Sequence, residues 1–194
     1  MLDASGVIQL IVLIILVFLS AFFSSAETAF STVNRVKMRA LEEEGNKKAA
    51  KVNKILDNYS KMISTILIGN NIVNIGASAL ATTLAIRINL IVGIASGILT
   101  LVILLFGEIV PKTWAKISNE GISLAYSGII YFLMQLLTPV IIVIDVLSKG
   151  ILKLMRIDPN KKVSTMTENE LKTYVDVSHE DGVIETEERE IIYN

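Results

Sequence analysis

The sequence contains no cysteine, one histidine (His179), three prolines and one tryptophan. Without cysteine there is no disulfide scaffold, no thiolate zinc or iron–sulfur site and no thiol nucleophile. A single histidine, placed in a hydrophilic stretch, leaves nothing for histidine-based acid/base chemistry or multi-histidine transition-metal sites. Basic residues are missing before Arg35, and Asp3 is the first charge of any sign. A cleaved signal peptide has a basic leading region and a shorter apolar run than the one found here, so the first apolar segment is expected to be a retained helix. Chemistry in this chain must come from oxygens: carboxylates, amides, hydroxyls and backbone carbonyls.

Hydrocarbon, by contrast, is abundant: 52% of the 194 residues are hydrophobic. Residues 7–23 hold only Gln9 and Ser20 as polar side chains, and long runs of this kind are membrane spans rather than half-buried elements. Hydrophobic segments cover roughly 7–30, 62–86, 89–106 and 121–155, the last interrupted by Pro139 and Gly150. The expected fold is an all-α membrane protein with three transmembrane helices, at about 5–31, 60–86 and 89–110. A proline-broken juxtamembrane helical belt at 120–156 completes a transmembrane domain of residues 1–157, and a short acidic helical segment follows at 158–194.

The formal net charge of −1 conceals a strong asymmetry. Residues 32–61 carry eight basic and four acidic side chains, which by the positive-inside rule places that loop in the cytoplasm and the amino terminus outside. The second helix then runs outward, Arg87 to Asn89 forms a short external turn, and the third helix returns near Lys112 and Lys116. Lys149, Lys153, Arg156, Lys161 and Lys162 are again a cytoplasmic signature, so 121–155 crosses the membrane twice or not at all. Its roughly 33 residues, broken at Thr138-Pro139, are too few for two spans of ~20 residues each. A bent helical pair lying in the interface or half-inserted is expected, with Asp145 and Lys149 toward polar surroundings. Residues 163–194 hold nine acids against Lys172 and Arg189, with a capping box at Thr167 and Glu170 and a second helix start near Glu185. The periodic pattern is still running at Asn194, so continuation into a cytoplasmic domain is expected. The location implied is the plasma membrane, multi-pass, with a cytoplasmic carboxyl terminus.

Polar groups in hydrocarbon are costly, so their clusters within the spans are functional candidates. Ser20, Ser24 and Glu27 share one face of the first helix, and Asn70, Asn74 and Ser78 repeat at four-residue spacing in the second, with Asn71 adjacent and Thr65 earlier. In the third, Gly107-Glu108-Ile109-Val110-Pro111 closes the apolar run. Pro111 has no amide hydrogen, so the Gly107 carbonyl four residues earlier loses its helical donor. A freed carbonyl beside an acid, together with hydroxyl and amide oxygens, is a ligand set for magnesium, calcium or sodium, not for zinc or copper. Each element also has a plain structural role. Serines bond back to their own backbone, asparagines join helices, and Glu108 could simply reach the interface. Gly93 and Gly97 have the spacing of close helix packing and of a dimer seam. Glu27 is either a ligand or a salt-bridge partner of Arg35.

Phe-Ser-Ser-Ala-Glu-Thr-Ala-Phe at 23–30, Leu-Ile-Gly-Asn-Asn-Ile-Val-Asn at 67–74 and Phe-Gly-Glu-Ile-Val-Pro-Lys at 106–112 follow in that order, with the basic loop between the first two. Together they resemble the transmembrane module of the CorC/cyclin-M family of magnesium transporters, and the resemblance covers essentially the whole chain. Asp181-Gly182-Val183-Ile184-Glu185 is similar to the segment that in this family precedes a pair of CBS domains. The resemblance implies a homodimer in the lipid bilayer that exports Mg2+ from the cytoplasm, with Na+ as coupling ion. The implied metal site is Ser20, Ser24, Asn70, Asn74, the Gly107 carbonyl and Glu108. The roles of Ser25, Asn71 and Glu27 stay open. No enzymatic activity and no nucleic-acid partner are expected, and Gly-x-x-x-x-Gly-Lys, the phosphate-binding loop of nucleotide-driven pumps, is absent. A magnesium-sensing membrane anchor and a cation channel are the alternative functions.

Overall fold

The computed structural model describes residues 4–88, 91–155, 175–179 and 188. Among the described residues every regular element is helical and no strand occurs. In chain order they are α1 (Ala4–Thr32), α2 (Arg35–Glu43), α3 (Lys47–Asp57), α4 (Tyr59–Arg87), α5 (Val92–Val102), a π-helical segment (Ile103–Ile109), α6 (Val110–Ile117), α7 (Asn119–Leu136) and α8 (Thr138–Leu154). The chain divides into two units, residues 1–145 and 146–194, and the contacts described below lie within the first. In the second, α8 continues to Leu154 and residues 175–179 form a helical turn. The expected capping box at Thr167 and Glu170, the helix start at Glu185 and the end of the turn at Asn89 lie outside the described residues.

Among the described residues three helices are long and apolar enough to cross a membrane, Ala4–Thr32, Tyr59–Arg87 and the continuous Val92–Ile117, and the bent helices Asn119–Leu136 and Thr138–Leu154 pass the same test only as a pair. At 1.5 Å per residue the 29-residue α1 and α4 each reach about 43 Å, more than the ~30 Å of bilayer hydrocarbon. Their side chains are distributed inside out relative to a water-soluble protein. Phe18 is 72% exposed, whereas Ser20, Ser24 and Ser25 are at most 1% exposed. Such a pattern is favourable where the surrounding solvent is lipid and hydroxyls need protein around them.

α1 is the axis of the assembly, packing on α4, on the π segment with α6, and on α7. At one end, Phe23, Phe30, Met38, Val52, Ile55, Met62, Ile66, Ile130 and Met134 make a continuous core that joins α1 to α2, α3, α4 and α7. Toward the other end packing thins to Ala77, Ala81 and Leu99, with Leu13, Leu16 and Ile103 against them. Small residues at four-residue spacing on α4 allow this close helix approach.

The basic loop of residues 32–61 is two capped helices. Asn34 accepts from the Lys37 amide at 3.1 Å, and Asn46 accepts from the amides of Lys48 and Ala49 at 3.0 and 3.2 Å. Between them Gly45 takes φ +91°, with Gly45 N donating to the Glu42 carbonyl and Asn46 N to the Leu41 carbonyl, the bond pair that closes a helix through a left-handed residue. α3 packs on α7, and Lys37 pairs with Glu120 at 2.6 Å. α7 and α8 bend by 64° at the Leu137 break, where the Thr138 hydroxyl donates to the Met134 carbonyl at 2.8 Å and Pro139 follows. Gly93 and Gly97 have open space where a side chain would stand, so among the described residues their shared spacing serves no helix packing.

Candidate cation site

The register of α1 against α4 is fixed by three contacts. Leu16 lies against Gly76, the Ser20 hydroxyl donates to Asn70 Oδ1 at 3.3 Å, and the Phe23 ring fills the space over Gly69. A β-carbon at Gly69 would collide with that ring, so glycine is what lets the helices close here. In this antiparallel register Ser20 stands between the levels of Asn70 and Asn74. Ser24 is one turn further along α1. Side chains lean toward the amino terminus of their own helix, so Ser24 and Asn74 lean toward each other's level.

The third helix joins at the same place. A β-carbon on Gly107 would lie 3.0 Å from Ser20 Oγ, which places bare backbone against the serine. Ser20 thus touches both other spans. Gly107 belongs to the π segment, in which the Val110 amide donates to the Leu105 carbonyl five residues back. Pro111 explains the local widening: it offers no hydrogen to the carbonyl of Phe106 at five-residue spacing or of Gly107 at four. The helix does not stop near 110 but continues through Pro111 to Ile117.

Two buried oxygens of this region lack any hydrogen-bond partner among the described residues, Ser24 Oγ and Asn74 Oδ1. An unpaired buried polar group costs about 1–3 kcal/mol, and both oxygens have lone pairs with which they can accept a hydrogen bond or ligate a cation. Ser25 follows the plain structural role, donating to the Phe22 carbonyl at 3.0 Å, and Thr65 donates to the Lys61 carbonyl at 2.7 Å. Asn71 and Ser78 are exposed. Among the described residues no three acids or histidines group together, so a cation at this junction would rely largely on neutral oxygens.

Glu108 is half-buried and its Oε1 accepts from Lys112 Nζ at 3.1 Å, one turn along the same helix. The same ammonium stands 3.3 Å from Glu27 Oε2 on α1. Glu27 is therefore paired with Lys112 and not with Arg35, whose guanidinium donates instead to the Leu56 carbonyl at 3.1 Å. In the sequence Lys112 marks topology and closes the 106–112 motif. Its four-residue spacing from Glu108 was the available signal for a closer role. Away from this junction, a cleft of about 310 Å³ between α1, α4 and α5 is lined by carbon, including Leu13, Val17, Ala81, Leu99 and Val102.

Comparison with known proteins agrees with the motif resemblance. The family described as cyclin M transmembrane N-terminal domain (CNNM) matches residues 11–188. The chain is similar to the UPF0053 protein of Haemophilus influenzae, 37% identical over 167 residues, covering 85% of this chain and 40% of that protein. It is 38% identical over 160 residues to the UPF0053 inner membrane protein YfjD of Escherichia coli, covering 81% of this chain and 37% of YfjD. The polyamine export protein of Haemophilus influenzae is 27% identical over 200 residues, covering 95% of this chain and 46% of that protein. The chain thus spans less than half the length of each of these relatives. With its three apolar spans and its family match over almost all of its length, the chain belongs to the cyclin M transmembrane domain family of multi-pass membrane proteins.

Proposed function

We propose that this domain exports Mg2+ from the cytoplasm, acting as a homodimer in the plasma membrane with the α2–α3 end inside and the amino terminus outside. The observation that carries the reading is the pair of unpartnered oxygens, Ser24 Oγ and Asn74 Oδ1, on either side of the point where Ser20 meets Asn70 and Gly107. Ser20, Ser24, Asn70, Asn74, the Gly107 carbonyl and Glu108 supply six hard oxygens with one negative charge. Mg2+ prefers six such ligands at about 2.1 Å and gives up water reluctantly, so a site with one carboxylate binds modestly and can release its ion. Outward of the junction the carbon-lined cleft offers a cation nothing, so passage requires the helices to rearrange. Moving a divalent ion out against an interior-negative potential of ~100 mV costs on the order of 4 to 5 kcal/mol, which calls for a coupled gradient; sodium entry is the coupling we propose. The test is Mg2+ flux in proteoliposomes containing the protein. Export should require an inward sodium gradient and be lost in Glu108→Ala with Asn74→Ala; export that persists in the double variant overturns the proposal.

A second reading has one observation in its favour. Glu27 and Glu108 already hold a primary ammonium, that of Lys112, and one relative is named a polyamine export protein. On this reading the cargo is an organic polycation. Spermidine flux in the same proteoliposomes, with no Mg2+ flux, would favour it over magnesium export.

A further inference from the structure

The cation that this structure places at Glu108 belongs to the protein itself. Lys112 Nζ is 3.1 Å from Glu108 Oε1 on its own helix and 3.3 Å from Glu27 Oε2 on α1. The three side chains are 30–44% exposed, so the pairs are partly solvated and exchanging one partner costs little. A lysine ammonium is a compact charge on a flexible stem, able to pivot between two carboxylates without moving its backbone.

We propose that Lys112 is a tethered competitor of the cargo cation, and that Glu27 is the carboxylate that receives the ammonium when cargo takes Glu108. The inference rests on the Mg2+ reading above and adds to it a means of release. Two carboxylates and one ammonium carry a net charge of −1, and a divalent ion turns the group to +1. Without Lys112 the loaded group is neutral and holds its ion more tightly. Without Glu27 the loaded group is +2, and the displaced ammonium has no nearby anion. Lys112 therefore lowers affinity and Glu27 partly restores it. As the ion departs, the ammonium returns to Glu108, so that the carboxylate is never left bare at the membrane boundary. Glu27 is thus a positioning residue, acting on the cation chiefly through Lys112.

Mg2+ affinity of the purified protein, measured by calorimetric titration across a double-mutant cycle, tests this directly. Lys112→Gln should tighten Mg2+ binding by about fivefold or more, and Glu27→Gln should weaken it by a similar factor. In the Lys112→Gln background, Glu27→Gln should weaken affinity by less than it does in wild type, because the route through the ammonium is gone and only the charge of Glu27 remains. A Lys112→Gln protein that binds no more tightly than wild type overturns the inference. So does a Glu27→Gln effect of equal size in both backgrounds, which would make Glu27 a direct ligand. Absence of Mg2+ binding in wild type and Lys112→Gln alike overturns the underlying reading as well. Because the chain has no cysteine of its own, Lys112→Cys gives a control within one folded sample. Disulfide coupling of an aminoethyl group restores an ammonium and should weaken Mg2+ binding, whereas a neutral methylthio group should not; equal effects of the two labels also overturn the inference.

Discussion

Replacing Ser24 with alanine should make the ion-free protein more stable while weakening its response to Mg2+. Ser24 is fully buried and its hydroxyl has no hydrogen-bond partner among the described residues. Such a group costs about 1–3 kcal/mol, and removing a single oxygen leaves a gap too small to offset much of it. A net gain of about 1 kcal/mol is expected, which for a chain of this size is about 2–4 °C in melting temperature. The response to ligand should change in the opposite sense. At Mg2+ about 100 times its Kd, wild type gains roughly 2.7 kcal/mol; a variant binding tenfold more weakly gains roughly 1.4 kcal/mol at the same concentration. Thermal unfolding of the purified protein, with chelator and with Mg2+, reads both quantities in one pair of curves. A serine that merely joined helices would give the reverse result, a lower melting temperature in chelator and an unchanged Mg2+ increment. Either of those outcomes refutes the reasoning.

The backbone and the packing around the junction offer two further tests. Pro111→Ala returns one amide donor to the π segment and should raise ion-free stability by about 1–3 kcal/mol while reducing the Mg2+ increment, as the carbonyl of Phe106 in π geometry or of Gly107 in α geometry becomes engaged; unchanged Mg2+ stabilisation would show that the carbonyl it engages plays no part. Gly69→Val drives a side chain into the Phe23 ring, so a loss of about 1–3 kcal/mol is expected in thermal unfolding, partly recovered by Phe23→Leu in the same protein. Without that recovery, the contact between α1 and α4 is not what Gly69 protects.

The helical fold was legible because hydrocarbon leaves a strong one-dimensional signal: three apolar runs became three spans, and Pro139 marked the bend between α7 and α8. The basic loop between the first two spans was legible as charge but not as structure, although Asn34, Asn46 and Gly45 are ordinary cap signals for the two helices it forms. Pro111 suggested an end to the third helix. The chain instead widens to π geometry and passes through, because the residues around Gly107 lie against α1 and are held there. Ser20 and Asn70 could be nominated from polarity within the spans, and Gly107 from the amide hydrogen that Pro111 lacks. Their convergence on one hydroxyl depends on the antiparallel register of α1 and α4, which no local pattern encodes. The partner of Glu27 was unreadable for the same reason: Arg35 is eight residues away along the chain, whereas Lys112 is adjacent only in space.

The central claim, that the three spans meet around a hard-cation site, is tested most directly by an experimental structure of the protein determined in Mg2+. The account predicts density for one ion between α1, α4 and the π segment, with metal–oxygen distances of about 2.1 Å to oxygens drawn from Ser20, Ser24, Asn70, Asn74, the Gly107 carbonyl and Glu108. An ion bound elsewhere in the chain, with Ser24 and Asn74 still unpartnered, would contradict it.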